Sequence, residues 1–312
     1  NHLKTEQFEQ VMNAGDIRWS LPKLVYHLED LRVGMSYPNY YIARLASKFV
    51  KVCLQGTGGD ELFGGYPWRY YKVFDSLSQE DFFDQYYDFW QRLVPKEEKE
   101  ALFSQNVLNQ IDLDAPRKVF ERVFTFNDKL KYDTPQDHIN NSLYFEIKTF
   151  LPGLFLVGDK LSMAHGLEER FPFMDNDLVD FAMQVPVEHK LGDLKKEIDK
   201  IDENIENKKK AYCEHHDGKN VLRKAMQDYI PEQILNRKKQ GFSAPDENWY
   251  RGENADYIKE ILLHSDTMCT EYINEDYIKK IVYEHLNEEK NHRLLIWSFL
   301  NFEWWCRIFL KN

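Results

Sequence analysis

Apolar residues recur along most of the chain at spacings of three and four, the pattern of amphipathic helices. Over residues 21–30 and 38–49 this spacing predicts two helices, or one helix with an extended entry. One short run, Lys51-Val52-Cys53-Leu54, instead has the character of a buried strand. The pattern therefore predicts a mostly helical protein with very little strand.

Two helical segments, residues 82–90 and 144–155, carry aromatic stripes. Aromatic residues at helical spacing are more often part of a core than a stacking surface for bases, so we interpret both stripes as core. Pro152-Gly153 interrupts the second pattern. The interruption predicts that the block beginning at Asp159-Lys160 starts a new helix.

The longest apolar stretch lies near the C-terminus, at residues 294–310. Glu303 and Arg307, four residues apart, would share one helix face in the middle of that stretch, where charge is costly in a membrane. The stretch therefore predicts a buried helix rather than a membrane span.

A glycine-rich segment, Gln55-Gly56-Thr57-Gly58-Gly59-Asp60-Glu61, follows the predicted strand. Its glycines leave backbone N–H groups free to approach an anion, and the two acids could hold the divalent cation that accompanies a polyphosphate. A strand-to-helix turn whose acids only cap the helix fits the same residues. The segment alone leaves both interpretations open.

Composition narrows the class of partner. Acidic residues outnumber basic ones, 52 to 41, for a formal charge of −11 over 312 residues, which opposes general binding to nucleic acid or to an anionic membrane.

The sequence begins with Asn1-His2-Leu3 and shows no signal peptide. The four cysteines form no CxxC pair, which predicts reduced thiols in a cytoplasmic protein. They are Cys53, Cys213, Cys269 and Cys306.

Two further blocks, residues 158–175 and 236–245, change the interpretation of the glycine-rich segment. They read GDKLSMAHGLEERFPFMD and NRKKQGFSAP. In this order the three blocks resemble the synthetase domain of the glutamine-dependent asparagine synthetase family, from about residue 21 onwards. The resemblance implies an α/β fold of the adenine nucleotide alpha hydrolase, ATP pyrophosphatase type. This fragment would be its predominantly α-helical part, with a remnant of the parallel sheet.

The resemblance also implies the chemistry. ATP with Mg²⁺ would adenylate a carboxylate, aspartate or a related acid, and ammonia released by a glutaminase domain of the same full-length chain would then displace AMP. It implies catalytic roles for Lys239, Asp60 and Glu168, with Asp60 also the metal ligand. The cofactor-binding residues that it implies are Gly56, Thr57, Gly58, Gly59, Glu61 and Asp159.

The middle block cannot point all its polar residues into one pocket if it is helical. Lys160 would face one side of the helix and Glu168 and Arg170 another. We therefore expect residues 168–170 to straddle the helix end, with Pro172 enforcing the exit. An ion pair with an acid is the expected role of Arg170.

Three departures from the family pattern stand out. No Ser-Gly-Gly-x-Asp-Ser pyrophosphate loop occurs in the 312 residues, so we expect a piece of a longer amidotransferase that is inactive by itself. Family members commonly carry an acid at the position of Thr57, whose hydroxyl cannot act as a carboxylate base and could instead bond the turn backbone. Residues 191–216 resemble an inserted, charged helical arm with a narrow apolar seam. The seam residues are Leu191, Leu194, Ile198, Ile201 and Ile205.

Two other classes of function remain open at this point. A non-catalytic scaffold derived from the family fits the missing loop and the inserted arm. An RNA-binding member of the wider superfamily is opposed by the acidic balance. The arm is expected to pack on its own domain, a homo-oligomer stays open, and the amidated substrate is not determined.

Overall fold

A computed structural model describes residues 4–31, 36–91, 93–192, 218–237 and 246–311. The strands are β1 Val52–Leu54 and β2 Glu168–Arg170. The helices before β2 are α1 Asp16–Leu28, α2 Tyr37–Ala46, α3 Gly59–Phe63, α4 Pro67–Tyr70, α5 Gln79–Trp90, α6 Lys99–Leu102, α7 Gln105–Leu108, α8 Ala115–Thr125, α9 Pro135–Phe145 and α10 Leu151–Met163. Those after β2 are α11 Asn176–Gln184, α12 Val187–Lys190, α13 Asn220–Met226, α14 Glu232–Leu235, α15 Asp246–Arg251, α16 Ala255–Leu262, α17 Glu275–Leu286 and α18 Arg293–Phe309. Short 3₁₀ turns are Lys96–Glu98, Pro172–Met174 and Met268–Glu271, and Glu146–Phe150 is a π-helical segment.

The two strands are parallel, with Val52 opposite Glu168 and Leu54 opposite Arg170. A mostly helical chain with a small parallel sheet confirms the prediction at this level. The prediction that the first strand is buried is wrong, because Val52 is 40% and Leu54 is 73% exposed. Among the described residues α10 packs against this sheet, and the outward side chains of β1 remain uncovered.

The predicted helices near the N-terminus are confirmed, with shifted boundaries. Helix α1 begins at Asp16, and its inward residues follow the spacing of three and four that places one helix face in the core. It ends where Glu29 adopts a left-handed conformation with φ 56° and donates its N–H to the Val25 carbonyl at 3.0 Å. Helix α2 ends at Ala46.

Asp159 and Lys160 lie in the second half of α10, so the prediction that their block starts a new helix is wrong. Pro152 stands in the first turn of α10, directly after the π-helical segment. The change of hydrogen-bond pattern at that junction tolerates a residue without an N–H, and the helix continues past the proline.

Residues 168–170 form β2 and do not straddle a helix end, which corrects the second expectation for this block. Helix α10 ends at Met163, and the chain then turns through Gly166 with φ 65°. Pairing with β1 decides the conformation of residues 168–170. The Glu168 N–H donates to the Lys51 carbonyl and the Gln55 N–H donates to the Arg170 carbonyl, both at 2.8 Å.

The aromatic stripes pack into the core, as predicted. A buried cluster joins α5, α8 and α9, and consists of Val73, Phe82, Phe83, Tyr86, Phe120, Phe124 and Phe145. The larger core joins α1, α2 and α10 to the C-terminal helices α15–α18 and includes Leu21, Leu24, Tyr37, Leu161, Ile258, Ile278, Trp297 and Leu300.

The predicted C-terminal helix is confirmed as a buried one. Glu303 is fully buried in α18 and accepts hydrogen bonds from the N–H groups of Met268 at 3.1 Å and Cys269 at 2.7 Å. Arg307 reaches the same carboxylate at 2.5 Å. Within the described ranges no helix is long and apolar enough to cross a membrane.

The predicted arm lies almost wholly outside the described residues, so its helical nature stays a prediction. Leu191, the first residue of its seam, is described and is fully buried beside Tyr70 and Val187. Of the cysteines, Cys53, Cys269 and Cys306 are free thiols, and Cys213 lies outside the described residues.

Candidate functional site

The two parallel strands end at the same edge of the sheet, which is where open α/β sheets bind ligands. The glycine-rich loop follows β1, and the turn Pro172–Met174 follows β2. The turn packs under the loop. A side chain at Gly58 would overlap with Met174, and one at Gly59 would lie 3.2 Å from the Phe173 ring.

The three glycines of the loop have different local roles. Gly58 has φ 101°, a conformation that favours glycine, and it precedes the first turn of α3. Gly59 is buried against Phe173. Gly56 is exposed, and no described atom lies within 4 Å of where its Cβ would be. The backbone conformation therefore favours glycine at position 58, the Phe173 ring leaves little room for a side chain at position 59, and Gly56 leaves open space beside the loop.

Asp60 forms an ion pair with Lys219, with 3.0 Å between Oδ1 and Nζ. Both side chains are about a quarter exposed, at 22% and 27%. The carboxylate lies so close to the next turn that a side chain at Gly65 would overlap with it. An acid and a base thus meet at the start of α3, in reach of solvent.

Lys219 is a site residue that the sequence analysis missed. Its segment docks on the end of α3 because Gly218 has φ 92° and the Lys219 N–H donates to the Phe63 carbonyl at 2.9 Å. A side chain at Gly218 would overlap with the Gly64 carbonyl oxygen. The glycine-lysine pair that follows the predicted arm was the available sequence signal, but its partner Asp60 is remote in sequence.

Glu61 points into the protein. Its side chain is almost fully buried, and the Tyr66 hydroxyl donates to its Oε1 at 2.8 Å. Burial raises the pKa of Glu61, and the Tyr66 hydrogen bond opposes that rise. The predicted contact of Glu61 with a cofactor stays a prediction, and this geometry favours a role in supporting the loop.

The polar residues of the middle block separate into two groups. Lys160 donates to the Leu28 carbonyl at 2.7 Å and pairs with Glu29 at 2.8 Å, so it ties α10 to the end of α1. Arg170 pairs with Glu168 at 2.9 Å, and both are exposed on the uncovered side of the sheet. The expected ion pair of Arg170 therefore exists, with the acid that the resemblance had assigned to catalysis.

Glu169, which the sequence analysis did not single out, lies on the other side of β2. Gln55, the residue before the glycine loop, donates from Nε2 to its Oε1 at 2.5 Å. A side chain at Gly158 would overlap with Oε2, and that oxygen is buried without a hydrogen-bond partner among the described residues. Burial and the charge of Asp159 raise the pKa of Glu169, and the Gln55 bond lowers it.

Lys239 lies outside the described residues, so its predicted catalytic role stays a prediction. The start of its block is described. Arg223 donates from Nε to the Gly218 carbonyl at 3.1 Å and from Nη2 to the Arg237 carbonyl at 3.5 Å. This arginine joins the beginning of the block to the segment that carries Lys219.

The described parts of the chain contain no group of three or more His, Cys, Asp or Glu side chains that could hold a metal ion. Asp60 supplies one partly exposed carboxylate. Mg²⁺ that is shared with a nucleotide commonly takes one or two protein carboxylates and completes its shell with phosphate oxygens and water, so Asp60 fits this type of site.

Comparisons with known proteins agree with the geometry. The family model described as asparagine synthase matches residues 1–307. An asparagine synthetase (glutamine-hydrolyzing) of Bacillus subtilis is 28% identical over 99% of this chain and 49% of its own length. A putative asparagine synthetase of Mycobacterium bovis is 24% identical over 97% of this chain and 46% of its own length. A protein named amidase chry2 from Gibberella zeae is 26% identical over 40% of this chain and 16% of its own length.

The chain thus spans about half the length of the first two relatives. The family match runs through the glycine loop, both strands and the segment that carries Lys219, and it covers nearly every residue. The chain belongs to the asparagine synthase family.

Proposed function

We propose that this chain carries the adenylating part of an ATP-dependent amidotransferase. The observation that supports the proposal is the glycine loop at the carboxyl edge of two parallel strands, with the Asp60–Lys219 pair beside it. In the first step a carboxylate oxygen attacks the α-phosphorus of ATP and pyrophosphate leaves. In the second step ammonia attacks the acyl carbon of the adenylate, and AMP leaves with the electron pair of the broken C–O bond.

Both steps build negative charge on phosphate oxygens, so the site needs N–H donors and cations more than a nucleophile. The open side of Gly56 gives the phosphates access to the backbone of the loop. Lys219 brings an ammonium group to Asp60, in the turn that follows the loop, and we assign Lys239 to the α-phosphate. A lysine suits this role because its ammonium is a mobile point charge.

Asp60 would hold Mg²⁺ on the pyrophosphate, where the ion would neutralise charge on the leaving group. Lys219 holds the same carboxylate at 3.0 Å and so fixes its orientation beside the first turn of α3. The basic residue thus positions the carboxylate.

The acyl substrate is a carboxylic acid, aspartate or a relative of it, and ammonia comes from a glutaminase domain of the same full-length protein. The relatives named asparagine synthetase support aspartate. The threonine at position 57 favours a different acid. A cytoplasmic site of action suits a reaction that consumes ATP.

A second candidate is a non-catalytic scaffold derived from this family. Thr57, which stands where family members commonly carry an acid, favours it. The two candidates differ in whether the full-length protein exchanges pyrophosphate into ATP.

The first test compares the 312-residue chain with the full-length protein. We expect pyrophosphate release from ATP, aspartate and ammonia only with the full-length protein, because this chain lacks the pyrophosphate loop. Sustained turnover by the pure 312-residue chain would contradict this expectation. No turnover by the full-length protein with any carboxylate would favour the scaffold.

The second arm of the test replaces Lys239 with Ala in the full-length protein and uses Lys238→Ala as the matched control. Lys239→Ala should lower adenylation at least about a hundredfold, the usual loss on removing one transition-state donor, with folding unchanged. Lys238→Ala should stay near wild type. Equal activities in the two variants would remove Lys239 from the site.

A further inference from the structure

A buried cation lies between two buried acids behind the glycine loop. Arg69 of α4 pairs with Glu146, with 3.1 Å between Nη1 and Oε1, and both side chains are almost wholly buried. Glu61, the second acid, is also buried and lies within electrostatic reach of Arg69. Burying three charged groups is costly unless each has a partner, so their arrangement calls for a physical explanation.

Aromatic rings hold the guanidinium of Arg69 in place. Its central carbon lies 3.8 Å from the centroid of the Tyr66 ring, 4.4 Å from that of Phe150 and 5.0 Å from that of Trp90. Planar cations stack well on such rings, and the attraction strengthens when water is excluded. The position of Arg69 is therefore coupled to the position of Tyr66.

Tyr66 connects this cage to the loop. Its ring stacks on Arg69, and its hydroxyl donates to Glu61 at 2.8 Å. Glu61 follows Asp60 in the first turn of α3. A continuous set of contacts thus runs from Glu146 through Arg69 and Tyr66 to Glu61, next to the acid that pairs with Lys219.

We propose that Glu146 is a positioning residue for the glycine loop and acts on it through Arg69 and Tyr66. Its function here rests on the proposed adenylation: the contacts fix the first turn of α3, so that Asp60 and the loop N–H groups are already oriented when ATP binds. Preorganised groups of this kind need little rearrangement during the reaction.

The surroundings of Glu146 suit this role. The groups that face it are Arg69, the hydroxyl of Tyr70 at 3.0 Å, the hydroxyl of Tyr86 at 3.4 Å and, farther away, Glu61. Glu146 is the first residue of the π-helical segment, a type of insertion that often occurs at functional sites. Burial raises its pKa to about 7 although Arg69 and Tyr70 lower it.

Tyr66→Phe in the full-length protein tests the proposal because it keeps the ring on Arg69 and removes the hydroxyl that donates to Glu61. Tyr277→Phe is the matched control, since the Tyr277 hydroxyl donates to Glu98 at 2.7 Å far from the loop. In ATP–pyrophosphate exchange, we expect Tyr66→Phe to raise the KM for ATP about tenfold, the effect of one hydrogen bond to a charged group. Tyr277→Phe should change it less than about twofold.

Hydrogen exchange measured without ATP gives a second readout. The amides of residues 59–65 should exchange at least about tenfold faster in Tyr66→Phe and in Glu146→Gln than in wild type or Tyr277→Phe. Unchanged exchange in either variant, or equal acceleration in the control, would overturn the proposal. If wild type shows no pyrophosphate exchange, the proposed function fails, and the hydrogen-exchange result still decides whether Glu146 positions the loop.

Discussion

The two adjacent acids that follow the glycine loop have opposite surroundings. Asp60 is partly exposed and pairs with Lys219, whereas Glu61 is buried and bonded to Tyr66. Residues next to each other on a helix point about 100° apart, so one turn can place one acid toward a ligand and the next toward the core. The first of these acids is therefore the one that we propose for chemistry, and the second supports the loop.

Thr57 is the residue whose substitution tests the substrate most directly. It is half-buried in the turn before α3. If an acid here serves as a base for an amine, Thr57→Glu or Thr57→Asp in the full-length protein should raise kcat/KM for asparagine formation from aspartate at least about tenfold. Thr57→Ser, which keeps the hydroxyl, should stay near wild type. Efficient asparagine formation by wild type, with no gain from either acid, would contradict a role of Thr57 in substrate choice.

Glu168 and Glu169 offer a second comparison at this scale. Glu169 is held by Gln55 beside the loop, whereas Glu168 pairs with Arg170 in solvent. We expect Glu169→Gln in the full-length protein to lower adenylation about tenfold, because the loop loses a charge-assisted hydrogen bond of the stronger kind. Glu168→Gln should change it less than about twofold, since exposed ion pairs contribute little. A larger loss of adenylation in Glu168→Gln than in Glu169→Gln would restore the catalytic assignment of Glu168.

At the scale of elements, the buried ion pair joins α4 to the π-helical segment and should make stability depend on pH. The pKa of Glu146 rises from 4.5 to about 7 on folding, so the folded state holds this proton more tightly than the unfolded one. The resulting stabilisation is complete below about pH 4.5 and is lost as pH rises through about 7.

We therefore expect the free energy of unfolding to fall by about 3 kcal/mol between pH 4.5 and 7 through Glu146 alone. Urea unfolding at pH 5, 6 and 7 checks this change. Glu146→Gln should lack this part of the pH dependence, and the exposed Glu97→Gln should retain it. A pH profile of Glu146→Gln that parallels wild type would contradict the assignment.

Sequence patterns located the elements that depend on local spacing. Helix α1, the aromatic stripe of α5 and the helix at the C-terminus all follow from apolar periodicity. The strand β2 could not be predicted, because Glu168-Glu169-Arg170 carries no strand pattern and becomes a strand only through pairing with β1. Pro152 misled the prediction for α10, since its position in a first turn is tolerated.

Some residues of the candidate site could be predicted from the sequence and others could not. Gly58 and Asp60 were recognisable because loop, turn and acid are contiguous in sequence. Lys219 and Glu169 were not, because each reaches the loop only after remote parts of the chain have come together. Glu61 is buried whereas Asp60 is partly exposed. The sequence does not reveal this difference, because the two acids are adjacent in it.

At the scale of the whole molecule, the described residues form a large core around α18 and an aromatic core around α5, and α10 of the large core packs against the small sheet. The loop, α3 and the segment with Lys219 meet beside this sheet. The site is thus assembled from segments that are far apart in the chain and belongs to no single local motif.

The parallel pairing of β1 with β2 has a consequence for how the chain folds. More than a hundred residues separate Val52 from its partner Glu168. Closing so long a loop lowers the entropy of the chain before burial of the paired residues can stabilise the contact. Helices such as α1 and α5 need only local contacts. The sheet, and with it the glycine loop, should therefore form late, after both cores. Mutations in β1 should accelerate unfolding more than they slow folding.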